Sequence, residues 1–142
     1  MSTLVIDTIQ GKTTAGSVNV RGEGSNNTNL QQGLVKVHCN LNGTGTIAFR
    51  DSFNMSSPTD NGTGDYTFAF TTNMGNANYS VMPSSASGYT GISACNRNVK
   101  VNSGSTAPST SVVRTQYGNN WYSASQVEDC PQQYMAICGD LA

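Results

Sequence analysis

The strongest constraint in this chain is a side-chain period of two. Between Leu34 and Leu41, the residues Val35, Val37, Cys39 and Leu41 fall on one face, and Lys36, His38 and Asn40 on the other. Successive side chains of an extended strand point to opposite sides, so the pattern predicts a strand with one face buried. Asn42-Gly43-Thr44-Gly45 follows, and then Thr46 to Arg50 sets Ile47 and Phe49 against Ala48 and Arg50. Asn and Gly accept the positive φ that tight turns need, so a hairpin is expected here. Asp60-Asn61-Gly62-Thr63-Gly64 is a second turn cluster. It feeds Asp65 to Thr71, where Tyr66, Phe68 and Phe70 share a face and give the strongest core signal of the chain.

Further strands are expected at Asn78 to Met82, Gly91 to Cys95, Arg97 to Val101, Ser111 to Tyr117 and Tyr134 to Cys138, and helical patterning is nearly absent. Short strands separated by turns give an all-β class, as an antiparallel β-sandwich or a barrel-like knob. The first residues differ in character. Leu4 to Ile9 and Val18 to Val20 are short strand candidates, and Gly22 to Asn29 reads as an extended connector with little to bury. The expected organisation is an extended N-terminal arm over residues 1–33 and a β-sandwich knob over residues 34–142.

Composition narrows the function classes. Charged residues are 11% of the chain, against roughly a quarter in an average soluble domain. With Lys+Arg 7 and Asp+Glu 8, the net charge of −1 lacks the electrostatic footprint of a nucleic-acid or anionic-membrane partner. Met1 is in place and no apolar run approaches the length of a membrane span, so neither a secretory signal nor a transmembrane helix is expected. Few Lys and Glu are available to blunt the sheet edges, which makes pairing or covering of edges in a homo-oligomer the natural solution.

Candidate chemistry is sparse. The only imidazole, His38, alternates onto the polar side of its strand, and Glu128-Asp129 are neighbours that an extended chain points to opposite faces. Asp60 to Asp65 superficially suggests a calcium loop, but the twelfth position from Asp60 is Thr71, where a bidentate Glu is needed. Gly43-Thr44-Gly45 and Gly62-Thr63-Gly64 open no helix and make no phosphate cradle. Cys39, Cys95, Cys130 and Cys138 have no C-x-x-C spacing, so reduced, mostly buried thiols are expected, with a Cys130 to Cys138 bridge as the best exception. The Asn-x-Ser/Thr sites at Asn26, Asn42, Asn54, Asn61 and Asn78 are what a chain rich in these residues generates by chance. No cofactor, no metal and no enzymatic activity are expected.

Binding is better served. Tyr117, Asn119, Asn120, Trp121 and Tyr122 combine aromatic faces, which stack on sugar C–H faces, with amides that donate to and accept from hydroxyls. The alternative reading has Trp121 plugging the core. Tyr89 lies in a second loop-like stretch, Ser84 to Thr90. These residues are the candidate receptor-binding set.

Three segments carry a resemblance: Asn42-Gly-Thr-Gly-Thr-Ile-Ala-Phe-Arg-Asp-Ser-Phe-Asn-Met-Ser-Ser, the run Thr59-Asp-Asn-Gly-Thr-Gly-Asp-Tyr-Thr-Phe-Ala-Phe-Thr, and Asn76-Ala-Asn-Tyr-Ser-Val. Together they resemble a module of marine bacteriophage virion proteins, such as the tail fibres of cyanophages and their relatives. Ser2-Thr-Leu-Val-Ile-Asp-Thr-Ile-Gln-Gly and the Gly33-Leu-Val-Lys entry are similar to the start of such proteins. The likeness covers residues 2 to 82 and does not extend to residues 83 to 142. It departs from the usual pattern at His38 and Cys39, where an aromatic and a small aliphatic residue are expected, and in the shortness of the chain.

The resemblance implies a homotrimeric virion protein assembled in the host cytoplasm. Its arm, through Leu4, Val5, Ile6 and Ile9, would attach to other virion proteins or intertwine with its copies. Its knob would meet a host-surface glycan or protein by multivalent contact, as a short tail fibre or spike. The runner-up is a capsid head fibre or decoration protein that stabilises the shell. A third reading is a tail-associated polysaccharide depolymerase, which the lack of a well-placed carboxylate pair speaks against.

Overall fold

The computed structural model describes residues 3–12, 18–22, 24–86, 97–101, 106–119 and 127–142, with backbone only at Arg97 and Asn119. The chain divides into two compact units, Met1–Leu34 and Val35–Ala142. In the first, β1 (Asn19–Arg21) pairs antiparallel with β2 (Asn27–Asn29), and the four-residue helix α1 (Leu30–Gly33) follows. Asn29 caps that helix by accepting from the Gln32 N–H at 3.0 Å. The connector expected over Gly22 to Asn29 therefore contains a strand. Leu4 to Ile9, expected as a strand, forms none, because its β-prone side chains have no partner strand to pair with.

The second unit is mostly antiparallel β. Its strands are β3 (Val35–Asn42), β4 (Ala48–Phe53), β5 (Met55–Gly62), β6 (Asp65–Phe70), β7 (Ser80–Ala86), β8 (Arg97–Val101), β9 (Val112–Asn119) and β10 (Gln132–Cys138). They form two four-stranded sheets, in the orders β4-β3-β10-β7 and β5-β6-β9-β8. Of the described strands of this unit, the first and last pair in the middle of one sheet, and β6 and β9 pair in the middle of the other, an antiparallel β-sandwich. The expected strand at Gly91 to Cys95 lies outside the described residues.

Both sheets contribute to one core. Val37, Cys39, Leu41, Met135 and Ile137 come from one sheet, and Tyr66, Phe68, Phe70, Val113 and Tyr117 from the other. Phe49 stacks on Phe68 across the sandwich at a ring separation of 6.0 Å. Gln133 Nε2 donates to Thr115 Oγ1 at 2.7 Å between two fully buried side chains, a polar tie between the sheets. The alternation of Tyr66, Phe68 and Phe70 thus does what the sequence asks of it.

Two departures from strict alternation have visible causes. Ile137 pairs with Val37 but Cys138 pairs with Val35, so Lys36 is an extra residue in β3. That bulge turns Lys36 inward, at 6% exposure, and Val35 outward, at 45%, the reverse of the sequence expectation for both. The strand β5 went unexpected because Ser56-Ser57-Pro58-Thr59 carries no apolar alternation. It is an edge strand, where proline is tolerated.

Crossing between the sheets takes a single residue. Asn54 separates β4 from β5 in a left-handed conformation with φ of 57°. Its amide donates to the carbonyls of Lys36 and Thr72, and its Oδ1 accepts from the Thr72 N–H. Asn tolerates this backbone region better than most residues, and three hydrogen bonds hold it there.

Gly45 and Gly64 both have positive φ, 65° and 67°. A Cβ on Gly45 meets open space, whereas one on Gly64 would collide with the Glu128 carbonyl oxygen and lie 2.6 Å from that of Tyr117. Gly45→Ala is therefore expected to cost about 1 kcal/mol, from backbone strain alone. Gly64→Ala adds displacement of packed backbone and is expected to cost about 3 kcal/mol. Urea unfolding of the two variants checks this, and equal losses would refute the close packing of the 62–64 turn against residues 117 and 128.

Candidate functional site

One end of the sandwich gathers segments distant in sequence. The Tyr66 hydroxyl, at the start of β6, accepts from the Cys130 N–H at 3.0 Å. It donates toward the Gly43 carbonyl at 3.0 Å and the Asp129 Oδ1 at 3.3 Å. The Gly43 N–H donates to the Cys130 carbonyl at 2.9 Å, and the Gly64 N–H to Asp129 Oδ1 at 3.0 Å. The Arg50 guanidinium completes the cluster, donating to the carbonyls of Leu41 and Pro131 and to Asn42 Oδ1. Burial pushes the Tyr66 phenol well above its usual range, so the hydroxyl stays protonated as a hydrogen-bonding hub.

The strand ends at this cluster are the anchors of the candidate loops. Ala86, which closes β7, pairs with Gln132, which opens β10. Arg97, which opens β8, pairs with Asn119, which closes β9, and Gly118 bridges to Val127. The segment bearing Tyr89 runs from Ala86 to Arg97, and the segment bearing Asn120, Trp121 and Tyr122 runs from Asn119 to Val127. Tyr89, Asn120, Trp121, Tyr122 and Cys95 lie outside the described residues, as does the side chain of Asn119.

Tyr117 is corrected. It is 1% exposed and faces the core with Val113 and Thr115, so its ring is unavailable for stacking on a sugar. The aromatic cluster drew it into the candidate set, but alternation along Val113, Thr115 and Tyr117 carries the signal that it points inward.

The outer face of the second sheet holds a polar cluster that sequence reasoning missed. Arg114 Nε donates to Asp65 Oδ1 at 2.6 Å and Nη2 to Oδ2 at 2.7 Å, a bidentate pair across 49 residues of sequence. Gln116 Nε2 donates to the same carboxylate at 3.2 Å, Arg114 Nη1 reaches Thr106 Oγ1, and Asn61 bonds both Asp65 and Thr67. Arg114 holds the Asp65 carboxyl below the usual range, against the opposing effect of burial, and the carboxylate in turn raises the guanidinium. Asp65 is therefore committed to Arg114, which removes a ligand from the calcium-loop pattern of residues 60–65. No local motif announces a diagonal pair between strands whose pairing the sequence leaves open.

The remaining candidates are placed plainly. His38 lies on the outer face of β3, stacked on Phe53 at a ring separation of 6.0 Å. Cys39, Cys130 and Cys138 are free thiols, so the Cys130 to Cys138 bridge is not formed. Burial pushes Cys39 and Cys130 up to about 12, far from a reactive thiolate. Among the described residues no group of three or more His, Cys, Asp and Glu side chains is arranged to hold a metal ion, and no helix is long and apolar enough to cross a membrane. In the N-terminal unit, Leu4, Val5, Ile6 and Ile9 are exposed by 80, 87, 48 and 60%. Compared with family models, curated proteins and solved structures, the chain matches none.

The Asp65 carboxyl titrates lower in the folded chain than in the unfolded one, so its pairing stabilises the fold above the unfolded value near pH 4. That contribution is lost as pH falls through the lower folded value. Asp65→Asn is expected to cost about 1 kcal/mol at neutral pH, since the pair is partly exposed, and the difference from the parent chain should shrink below about pH 4. Denaturant titrations at neutral and acidic pH check this, and a pH-independent difference would refute the electrostatic role.

Proposed function

We propose that this chain is a bacteriophage virion structural protein, a short tail fibre or spike whose β-knob makes multivalent contact with a host surface. One observation carries the reading. The segments bearing Tyr89 and Asn120-Trp121-Tyr122 are anchored at the same end of one hydrogen-bonded sandwich, at Ala86, Arg97, Asn119 and Val127. Recognition residues concentrate on segments that a scaffold positions, and both candidate segments start and finish at the end held by the Tyr66 hydroxyl.

Two further features support it. The two-sheet antiparallel sandwich is an architecture that many surface-recognition domains share, a support at the level of fold alone. The exposed apolar residues Leu4, Val5, Ile6 and Ile9 suit an arm that docks on another virion protein. In this reading the chain is a homotrimer, and weak loop contacts add up through three copies on a particle that carries many. The same arm on the capsid shell would make it a head fibre or decoration protein. Imaging the labelled chain on intact particles separates the two: density on the tail supports attachment, density on the shell supports decoration, and particles without the chain refute both.

Trp121→Ala is expected to weaken binding of the full chain to host cells by about tenfold, the loss of one buried aromatic contact. Its thermal transition should move by less than about 2 °C. A drop of several degrees would place Trp121 in the core and remove it from the receptor-binding set.

A further inference from the structure

Two Asn-Gly pairs occur in the chain, Asn42-Gly43 and Asn61-Gly62. Such a pair carries a latent reaction. Glycine has no Cβ to shield its backbone nitrogen and leaves that nitrogen the widest conformational reach, so it can approach the side-chain carbonyl of the Asn before it. Both pairs stand where a strand runs into a hairpin turn, β3 into β4 and β5 into β6. The fold holds them in opposite ways.

Asn42-Gly43 is locked. Gly43 is buried, and its N–H donates to the Cys130 carbonyl inside the Tyr66 cluster. Asn42 Nδ2 donates to the carbonyls of Thr44 and Thr46, and its Oδ1 accepts from Thr44 Oγ1 and Arg50 Nη2. Neither reacting group can turn toward the other without opening that end of the sandwich. Asn61-Gly62 is open. Both residues are exposed, and a Cβ on Gly62 would meet nothing within 4 Å, so there is room for a ring and for water. Asp60 pairs with Tyr66 and Gly62 with Asp65, which leaves Asn61 as the extra residue of a bulge on an edge strand. The Gly62 N–H donates to the carboxylate of exposed Asp60 at 2.9 Å, a local side-chain bond that opens at little cost. Asn61 Nδ2 donates to Thr67 Oγ1 at 2.9 Å and to Asp65 Oδ1 at 3.4 Å, and both bonds involve the nitrogen that the reaction expels.

We propose that Asn61 is a site of spontaneous deamidation in the folded chain, and that the fold shields Asn42 from the same reaction. The Gly62 nitrogen bonds to Asn61 Cγ, the Cγ–Nδ2 bond breaks, and Nδ2 leaves as ammonia with the proton that Gly62 gave up. Water then opens the five-membered succinimide at one of its two carbonyls. One opening gives aspartate at position 61, and the other gives isoaspartate, whose main chain runs through Cβ and Cγ. The balance is one water consumed and one ammonia released, and the formal net charge goes from −1 to −2. The new carboxylate cannot donate to Thr67 or Asp65, and it stands beside Asp60 and Asp65, so a hydrogen bond to the Asp65 carboxylate becomes a like-charge repulsion. Arg114 and Gln116 remain to hold Asp65. The edge position of β5 confines the extra main-chain atom of isoaspartate to one ladder, the one with β6. The proposal is independent of the virion reading, and the purified chain alone tests it.

The experiment is incubation of the full-length folded chain for several weeks in mildly alkaline buffer, beside a sample unfolded in guanidinium chloride. Peptide masses follow the gain of about 1 Da that replaces an amide by a carboxylate, and fragmentation assigns it to a residue. In the folded chain Asn61 should convert at least about tenfold faster than Asn42, and in the unfolded chain the two should convert within about threefold of each other. Chromatography should resolve both an aspartate and an isoaspartate product at position 61. Gly62→Ala should slow the conversion of Asn61 about tenfold, because its Cβ shields the attacking nitrogen. Tyr66→Phe, which keeps the ring and removes the hydroxyl ties to Gly43 and Cys130, should speed the conversion of Asn42. Equal rates at Asn61 and Asn42 in the folded chain overturn the proposal, as does an Asn61 that converts only when unfolded. A product without isoaspartate, or a rate that Gly62→Ala leaves unchanged, overturns the ring route. An Asn42 that Tyr66→Phe leaves inert overturns the shielding assigned to the cluster.

Discussion

The Tyr66 hydroxyl is the interaction on which one whole end of this sandwich depends. Aromatic side chains of β6 bury themselves regardless of what lies beyond the strand, but the phenol oxygen at the tip of Tyr66 must find partners where water is excluded. It finds the carbonyl of Gly43, the N–H of Cys130 and the carboxylate of Asp129, which lie 23, 64 and 63 residues away. The β3-β4 turn and the segment entering β10 are tied by this atom to the start of β6. A Cβ on Gly43 would stand 2.5 Å from the hydroxyl and 2.7 Å from the Cys130 carbonyl, so the smallest side chain is required there for the tie to form.

Inside and outside are separated by pleat parity, and the structure changes that parity only at defined places. The bulge at Lys36 turns Val35 out. A second shift lies between Asn40 and Leu41, where β4 has one residue more than β3. Arg50 is that extra residue, and it donates to carbonyls on β3 and before β10 in place of taking a ladder position. Phe49 can then face Phe68 inside while Asp51 and Phe53 face outward. Without the bulge, Asp51 and Phe53 would share the inward side with Phe49, and a carboxylate would enter the core.

How much of this was legible in the sequence follows from the range of each interaction. The 42–45 hairpin and the Tyr66-Phe68-Phe70 face are local patterns, set by turn residues and by alternation, and both stand in the structure. The order of strands within the sheets is not local: β3 meets β10 from the other end of the domain, and nothing in either segment names the other. The Asp65 and Arg114 pair was hidden for the same reason. Leu4 to Ile9 misled because β-propensity without a partner strand does not make a strand. Tyr117 misled in the opposite way, since a cluster of aromatics suggested a ligand where the period-two pattern already pointed inward.

The direction of the strands bears on the proposed contact with a host. The end tied by Tyr66 carries the anchors Ala86, Arg97, Asn119 and Val127, so both candidate segments start and finish at one end of the sandwich. Multivalent attachment gains strength only when all copies reach the surface at once. In the proposed homo-oligomer that requires an axis parallel to the strands, which sends this end of every copy in the same direction. An axis perpendicular to the strands in the plane of the sheet would send alternate copies in opposite directions, and the multivalent gain would be lost.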